Sequence, residues 1–366
     1  MNVPFLDFSA PYKELKPELD AAYARFMDSA WFVLGKETTA FEEEYAAYCG
    51  TKHCVGVSNG LDALHLILRA WEIGPGDEVL VPSNTYIATW LAVSMTGATP
   101  VPVEPDEATM NMDPNLVEAA ITSRTRAMVP VHLYGLPADM RPLMDIAAKH
   151  GLKVMEDAAQ SHGAKYGGVR SGALGHAAAH SFYPSKNLGA YGEAGAVTTN
   201  DDELAAKVKL LRNYGSPVKY HNELQGYNNR IDELQAAFLR VKLGKLDEWN
   251  QRRATMASRY HRGLRGLPGL VLPAEPEGCS PVWHLYVVRH PRRDELQKHL
   301  AAAGVVTLVH YPIPPHLSGA YVEARHQKGS LPQAERIADT VLSLPMGPHL
   351  KEEQIDAVIE VMHDFE

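Results

Sequence analysis

The sequence predicts an α/β fold in which a mostly parallel sheet is covered by helices on both faces. Short apolar runs that are typical of buried strands recur through the first half of the chain, and segments with helical periodicity lie between them. The strand-like runs cover residues 54–57, 78–81, 100–103, 127–131 and 153–155. Because strands alternate with helices, successive strands are expected to run in the same direction.

Two of the intervening segments show the helical pattern most clearly. Leu61, Leu64, Leu68 and Trp71 recur at the spacing of one helical face. The second segment covers residues 140–150 and ends at Gly151, a residue typical of the position after a helix. We therefore predict helices over 61–71 and 140–150.

The last third of the chain follows a different pattern. Apolar residues at Leu234, Phe238, Val241 and Leu246 predict one long helix over 231–252 that leaves the large domain. Residues 282–288 then predict a strand and residues 293–303 a helix. We expect a large domain over 1–250 and a small C-terminal α+β domain over 251–366.

Composition excludes several classes of function. The formal net charge of −9 provides no basic field for a nucleic-acid backbone. The three cysteines have no CxxC spacing, which indicates neither a disulfide framework nor a metal site and favours the reducing cytoplasm. We identify no signal peptide and no apolar run long enough to span a membrane.

A lysine and an acid at the ends of two strands indicate a cofactor site. Lys186 follows a strand and lies between Pro184 and a glycine-rich run, and Asp157 ends an earlier strand. Pyridoxal phosphate needs these two groups, an amine for a Schiff base and a carboxylate for its pyridinium nitrogen. Either residue alone is uninformative, since most lysines are solvated and most acids after strands serve turns. Lys186 would also move the proton between the substrate carbon and the cofactor.

Further residues fit the same cofactor. Gly60 and Leu61 open a helix directly after a strand, where free N–H groups can hold a phosphate, and Ser181 can add a hydroxyl. Gln160 is assigned to the phenolic oxygen of the ring, and Tyr86 to stacking on it. His162 is assigned no more than an orienting role.

At this point the chain resembles the sugar aminotransferases of the DegT/DnrJ/EryC1 type, which are fold-type I pyridoxal-phosphate enzymes of the aspartate aminotransferase superfamily. The resemblance extends over nearly the whole chain. Its motifs are residues 4–7, 34–37, 59–64, 82–88, 131–135, 226–230 and 310–312, together with the segments around Asp157 and Lys186. It implies an aspartate-aminotransferase-like large domain with a small C-terminal domain.

The sequence of residues 182–189 resembles that of the family members that aminate C3 of a nucleotide-linked keto sugar. The resemblance implies that L-glutamate converts the cofactor to pyridoxamine phosphate, which then aminates a dTDP-3-keto-6-deoxyhexose to the dTDP-3-amino-3,6-dideoxyhexose. It also implies a homodimer with shared active sites, in which Asn228 reaches the partner's cofactor phosphate. The residues assigned to the sugar nucleotide or the amino donor are Tyr183, Lys219, Arg230, His310 and Tyr311.

Four other interpretations compete with this one. A nicotinamide dehydrogenase needs G-x-G-x-x-G at the first strand–helix turn, where residues 58–62 read SNGLD. Family members that dehydrate the sugar carry His in place of the lysine at 186. A non-catalytic regulator is expected to carry a basic DNA-binding segment, which we do not identify. A UDP-linked 2-acetamido-3-keto sugar remains open as the substrate.

Overall fold

Helices and strands alternate along the chain in the computed structural model, which describes residues 2–324 and 326–365. The strands are β1 (His53–Val57), β2 (Glu78–Pro82), β3 (Thr99–Val103), β4 (Thr125–Met128), β5 (Lys153–Asp157), β6 (Lys165–Tyr166), β7 (Val169–Arg170), β8 (Ala177–Ser181), β9 (Gly195–Thr199), β10 (Cys279–Ser280), β11 (Tyr286–Arg289) and β12 (Val341–Leu344). The α-helices are α1 (Ser9–Glu14), α2 (Lys16–Ser29), α3 (Lys36–Cys49), α4 (Gly60–Ala70), α5 (Ile87–Met95), α6 (Pro114–Ala120), α7 (Met140–His150), α8 (Asp202–Leu211), α9 (Glu233–Leu243), α10 (Leu246–Leu264), α11 (Arg293–Ala302), α12 (Pro332–Thr340) and α13 (Glu352–His363).

The central sheet contains seven strands in the order β1-β9-β8-β5-β4-β2-β3. The pairs from β3 to β8 are parallel, whereas β9 runs antiparallel to both of its neighbours. The carboxyl ends of β1, β2, β4, β5 and β8 therefore lie at one edge of the sheet, the edge where open α/β sheets bind ligands. This topology confirms the predicted α/β class with a mostly parallel sheet.

Apolar helix faces cover this sheet. Leu64 and Leu68 of α4 are buried against it with Trp90 of α5, and the other face is covered by a cluster that includes Leu143 of α7. Helix α7 has the bounds predicted from its periodicity, and Gly151 caps it with a left-handed φ of 67°.

Three predicted elements differ from the structure by more than two residues at an end or by an interruption. The helix predicted over 231–252 is divided into α9 and α10, because Gly244 and Lys245 interrupt it and glycine has a low helix propensity. The strand predicted over 127–131 ends at Met128, since Pro130 has no N–H to continue the ladder. The strand predicted over 282–288 begins only at Tyr286, after Trp283 adopts a φ of 50°.

The C-terminal third has a core of its own. Strands β11 and β12 pair in antiparallel orientation, and α10, α11 and α13 contribute Tyr260, Leu300 and Ile355 to the cluster beside them. Residue 250 lies within α10, whose first residue, Leu246, packs instead in a cluster with α3. The division into domains at residue 250 stays a prediction.

Candidate functional site

The loop after β8 holds Lys186 at the carboxyl edge of the sheet. The Lys186 N–H donates to the carbonyl oxygen of Tyr183 (2.8 Å), which closes a tight turn. Asn187 anchors the turn from the other side, because its amide donates to Asn250 Oδ1 and to the Val282 carbonyl oxygen, both at 2.8 Å. The backbone around Lys186 is therefore fixed to α10 and to the segment before β11.

Lys186 and Asp157 interact electrostatically across this edge. Burial lowers the pKa of the Lys186 amine to about 8, and the Asp157 carboxylate opposes that shift. No hydrogen bond joins the Lys186 Nζ to another group within residues 2–324 and 326–365. A largely desolvated amine with a lowered pKa and no protein partner is available as a nucleophile or a base.

The Asp157 carboxyl group is buried at the end of β5. Thr89 Oγ1 donates to its Oδ2 (2.8 Å), and the Ala159 N–H donates to its Oδ1 (3.2 Å). Burial raises the pKa of Asp157, while these two hydrogen bonds and the charge of Lys186 lower it. Asp157 is thus placed to meet a cationic hydrogen-bond donor between the sheet edge and Lys186.

Gly60 and Ser181 lie against each other where a phosphate was predicted. A Cβ built on Gly60 would come within 2.6 Å of Ser181 Cβ, so a larger residue has no space there. Gly195 of β9 makes a similar close approach, 2.4 Å, to the backbone of Asn59. Gly60 and Leu61 open α4, whose first N–H groups have no acceptor within the helix. The arrangement fits an anion at this helix end.

A second group of side chains lies beside Asp157. Gln160 accepts from the Tyr134 N–H through Oε1 (2.6 Å) and donates through Nε2 to the Tyr311 hydroxyl (3.1 Å). Tyr311 is in ring contact with Tyr86, with centroids 5.2 Å apart. One N–H of the Gln160 amide remains for a ligand. The structure thus brings together Asp157, Gln160, Tyr311 and Tyr86.

His310 is held by its neighbours. Its carbonyl oxygen accepts a hydrogen bond from the Tyr134 hydroxyl, and its Nδ1 lies 2.8 Å from Ser343 Oγ. Burial and the nearby Lys186 charge lower the pKa of His310 to about 4. His310 is therefore a neutral residue beside Lys186 near pH 7.

Three residues predicted to bind the phosphate, the sugar nucleotide or the amino donor have no described contact with Lys186, Asp157, Gln160 or the Gly60–Ser181 pair. Lys219 is exposed and lies over the Tyr220 ring. Asn228 is exposed, although its neighbours in the chain lie beside the end of β1. Arg230 donates to Asn213 Oδ1 (2.9 Å).

Tyr183 is half exposed, and its N–H donates to Ser181 Oγ (3.3 Å). It therefore lies next to the predicted phosphate position and faces solvent. His162 is buried with both ring nitrogens unpartnered among the described residues, and its ring lies 5.4 Å from that of Phe182. Burial, and then the charges of His180 and Lys186, lower the pKa of His162 well below its usual value, so it packs as a neutral ring.

Sequence reasoning missed Thr89, which binds Asp157, and the buried pair of His132 and Glu156. His132 Nε2 lies 2.8 Å from Glu156 Oε2, and Glu156 also accepts from the N–H groups of Gly172, Leu174 and Gly175. The sequence contained a signal for Glu156, because it precedes Asp157 in the same strand. Neighbouring residues of a strand point to opposite faces, so Glu156 had to lie on the face opposite to the assigned Asp157. Thr89 had no comparable signal.

Among the residues that the structure describes, no helix is both long and apolar enough to cross a bilayer. All three cysteines are free.

Comparison with known proteins identifies the family. The model of the DegT/DnrJ/EryC1/StrS aminotransferase family matches residues 13–363. The dTDP-3-amino-3,4,6-trideoxy-alpha-D-glucose transaminase of Streptomyces venezuelae is 58% identical over 100% of this chain and 96% of the relative. The structure of S. venezuelae DesV in complex with a ketimine intermediate superposes with a TM-score of 0.98 at 58% identity, covering 100% of this chain and 98% of that one.

A more distant structure shows a bound cofactor. NtdA from Bacillus subtilis with bound PMP superposes with a TM-score of 0.89 at 30% identity, covering 99% of this chain and 85% of NtdA. The family match and the identities confirm the resemblance seen in the motifs. The chain belongs to the DegT/DnrJ/EryC1/StrS aminotransferase family and is an enzyme of the sugar aminotransferase class.

Proposed function

We propose that this enzyme uses pyridoxal phosphate to transfer the amino group of L-glutamate to C3 of a nucleotide-linked keto sugar. The substrate we propose is a dTDP-3-keto-6-deoxyhexose, and the product is the dTDP-3-amino-3,6-dideoxyhexose. The observation that carries this proposal is the pairing of an unbonded Lys186 amine with a buried Asp157 carboxyl at the carboxyl edge of the sheet. The 58% identity to a dTDP-3-amino sugar transaminase supports the choice of nucleotide and carbon.

The residues at the sheet edge fit pyridoxal phosphate. Asp157 would accept a hydrogen bond from the pyridine nitrogen, and the remaining Gln160 N–H would donate to the phenolic oxygen. The cradle of Gly60, Leu61 and Ser181 would hold the phosphate. When bound, the cofactor supplies an electron sink for the bond that breaks at the amino-bearing carbon.

Lys186 performs proton transfer in this proposal. Its pKa of about 8 leaves a substantial neutral fraction near pH 8, so the same amine can accept a proton from a substrate carbon and return it. Asp157 stays ionised against the cationic ring nitrogen, because an opposite charge favours the charged form of a carboxyl group. Thr89 holds the carboxylate in place.

The substrate side of the site extends toward Tyr183, His310 and Tyr311. The half-exposed Tyr183 would contact the hexose, and the neutral His310 with Tyr311 would line the same pocket. Lys219 would meet the diphosphate, which an acidic protein must bind with a local cation. Arg230 remains our candidate for the donor carboxylate.

The experiment that tests the proposal is an absorption titration. The purified protein is loaded with pyridoxal phosphate, and its near-ultraviolet and visible spectrum is recorded before and after L-glutamate is added. We expect the band of the lysine-bound cofactor to be replaced by the band of the pyridoxamine form. A Lys186→Ala variant, which should never show the first band, is the control.

The second half of the reaction identifies the sugar. The pyridoxamine form is mixed with a dTDP-3-keto-6-deoxyhexose or with a UDP-linked 2-acetamido-3-keto sugar, and return of the first band is followed. Return with the dTDP sugar alone supports the proposed substrate. Return with the UDP sugar alone would replace it with the alternative.

A further inference from the structure

A cavity of about 90 Å³ lies behind the loop that carries Lys186. Its walls come from the N-terminal segment, from residues 184–187 and 189, from α9 and α10, and from the loop 347–350. Of the residues assigned above to the cofactor or the sugar, Lys186 alone is among those that line it. The cavity could hold about three water molecules at their liquid volume, or one small polyatomic ion.

Two buried cationic side chains line this cavity without a carboxylate partner. Arg253 is 3% exposed and Lys242 is 5% exposed. Lys242 Nζ donates to the Gly189 carbonyl oxygen (2.6 Å), and Arg253 Nη1 donates to the carbonyl oxygens of Trp283 (3.1 Å) and His284 (3.3 Å). Within residues 2–324 and 326–365, no carboxylate oxygen lies within 4.0 Å of either cation. Arg253 Nε is buried without an acceptor, and the hydrogen bonds that the guanidinium group makes in the described chain both come from Nη1.

The positive charge is only partly compensated, because Lys242 Nζ lies 3.6 Å from the centroid of the Tyr191 ring while no carboxylate among the described residues pairs with either cation. A buried charge is costly unless it is paired, and burial lowers the pKa of Arg253 to about 10 and of Lys242 to about 7. Lys186 is also among the residues that line the cavity. The carboxylate of Asp7 lines the cavity mouth, but it is exposed and bound by the N–H and hydroxyl of Ser9.

We propose that this cavity binds one small oxyanion between Arg253 and Lys242. The unused edge of the guanidinium group can donate two parallel, charge-assisted hydrogen bonds to a carboxylate or to a tetrahedral oxyanion. Trp249, which is 3% exposed and lines the cavity, has a buried indole N–H without an acceptor in the described chain. A bound oxyanion would satisfy donors that the described residues leave free.

The position of the site predicts its effect. Lys242 already holds Gly189, and Asn187 is bonded to Asn250 of α10, so an anion at Lys242 and Arg253 would brace both ends of the loop that carries Lys186. The anion would therefore stabilise the folded holoenzyme. This inference does not depend on the proposed transamination.

Crystals of the wild-type holoenzyme test the site directly. They are soaked in selenate, a tetrahedral oxyanion with an anomalous signal. We expect a selenium peak within hydrogen-bond reach of Arg253 and Lys242. Water alone in the cavity at high selenate and acetate, or a carboxylate of the partner subunit seated there, would overturn the proposal.

Thermal unfolding of the holoenzyme in solution distinguishes the two kinds of oxyanion. Selenate and acetate are titrated separately at constant ionic strength, because a ligand of the folded state raises the unfolding temperature with its concentration. A rise with selenate alone identifies a tetrahedral oxyanion, and a rise with acetate alone a carboxylate. If neither anion raises the unfolding temperature, the result contradicts the proposed site.

Adjacent arginines supply a matched pair of variants. We expect Arg253→Gln to raise the Kd of the anion by roughly tenfold or more, since it removes a charge-assisted contact. Arg252→Gln is the control, because Arg252 pairs with Glu14 and Glu248 and does not line the cavity. Equal weakening in both variants would point to general electrostatics and overturn the proposal. If Arg253→Gln does not fold, the wild-type crystals still decide.

Discussion

Asp157 shows how one carboxyl group is prepared for a cationic partner. Burial raises its pKa, whereas Thr89, the Ala159 N–H and the charge of Lys186 lower it. The net effect in the protein without cofactor is a raised pKa. A ring N–H⁺ delivered to Asp157 would lower its pKa, because an opposite charge a few ångströms away favours the ionised carboxylate.

We predict that Asp157→Asn lowers kcat by at least about a hundredfold, since an amide cannot hold the ring nitrogen in its cationic form. The lysine-bound band should still form, because Lys186 is intact. Steady-state kinetics and the absorption spectrum measure the two effects. Thr89→Val is the graded comparison, for which a loss of roughly tenfold is expected from the removal of one hydrogen bond to the carboxylate. Equal losses in both variants would contradict the assignment of Asp157.

The pKa of Lys186 predicts how the protein takes up its cofactor. The neutral amine is the nucleophile, so uptake of pyridoxal phosphate by the cofactor-free protein should become faster as pH rises and level off above the Lys186 pKa of about 8. Stopped-flow absorbance between pH 6.5 and 9.5 follows the reaction, with Nα-acetyl-lysine, whose side-chain amine is free, as the reference. If the uptake rate has the same pH profile as the reference amine and shows no plateau below pH 10, the result would contradict the lowered pKa of Lys186.

The sequence could predict residues whose position in a strand determines their surroundings. Asp157 and Ser181 end parallel strands, and parallel strands deliver their carboxyl ends to one edge. Thr89 could not be predicted, because it lies within a helix and reaches Asp157 only through the packing of α5 on the sheet. The two buried cations behind Lys186 were equally hidden, since their lack of partners is a tertiary property.

At the scale of elements, the start of α4 depends on a glycine. Gly60 allows the helix to begin within contact distance of Ser181 on β8, and this contact forms the cradle that we propose for the phosphate. We predict that Gly60→Val weakens binding of pyridoxal phosphate by roughly tenfold or more, because its side chain would displace Ser181 or the helix end. Equilibrium titration of cofactor absorbance measures the change.

Gly74→Ala is the control for this substitution. Its new Cβ would lie 3.6 Å from the carbonyl oxygen of Thr96, which is an ordinary van der Waals contact. It should leave the affinity for the cofactor unchanged. Tight cofactor binding in Gly60→Val would show that the phosphate lies elsewhere.

The central strands and the helices next to them were predictable because each follows a single periodicity. The break between α9 and α10 was not recognised, since the apolar pattern continues through it although Gly244 and Lys245 end the first helix. The end of the strand predicted over 127–131 was wrong for a related reason. The prediction followed the apolar residues and did not account for the N–H that Pro130 lacks. Local backbone chemistry decided both boundaries.

At the scale of the whole molecule, the N-terminal segments expose an unusual amount of aromatic surface. Phe8, Tyr23, Trp31 and Phe32 are between 49% and 63% exposed, on and beside α1 and α2. Several large exposed aromatic side chains within one segment of the chain are typical of an interaction site. It supports the proposed homodimer, in which an exposed Asn228 has a partner subunit to reach.

Mixing two inactive variants tests the shared active site. If Asn228 serves the partner's cofactor phosphate, a dimer of one Lys186→Ala subunit and one Asn228→Asp subunit holds one intact site, because the lysine and the asparagine of that site come from different chains. Random reassociation makes half of the dimers mixed, so we predict recovery of about a quarter of the wild-type activity. Activity after unfolding and refolding the variants together, compared with each refolded alone, measures the recovery. If the mixture is no more active than the sum of its parts, each site is built within one chain and Asn228 acts on its own subunit or not at all.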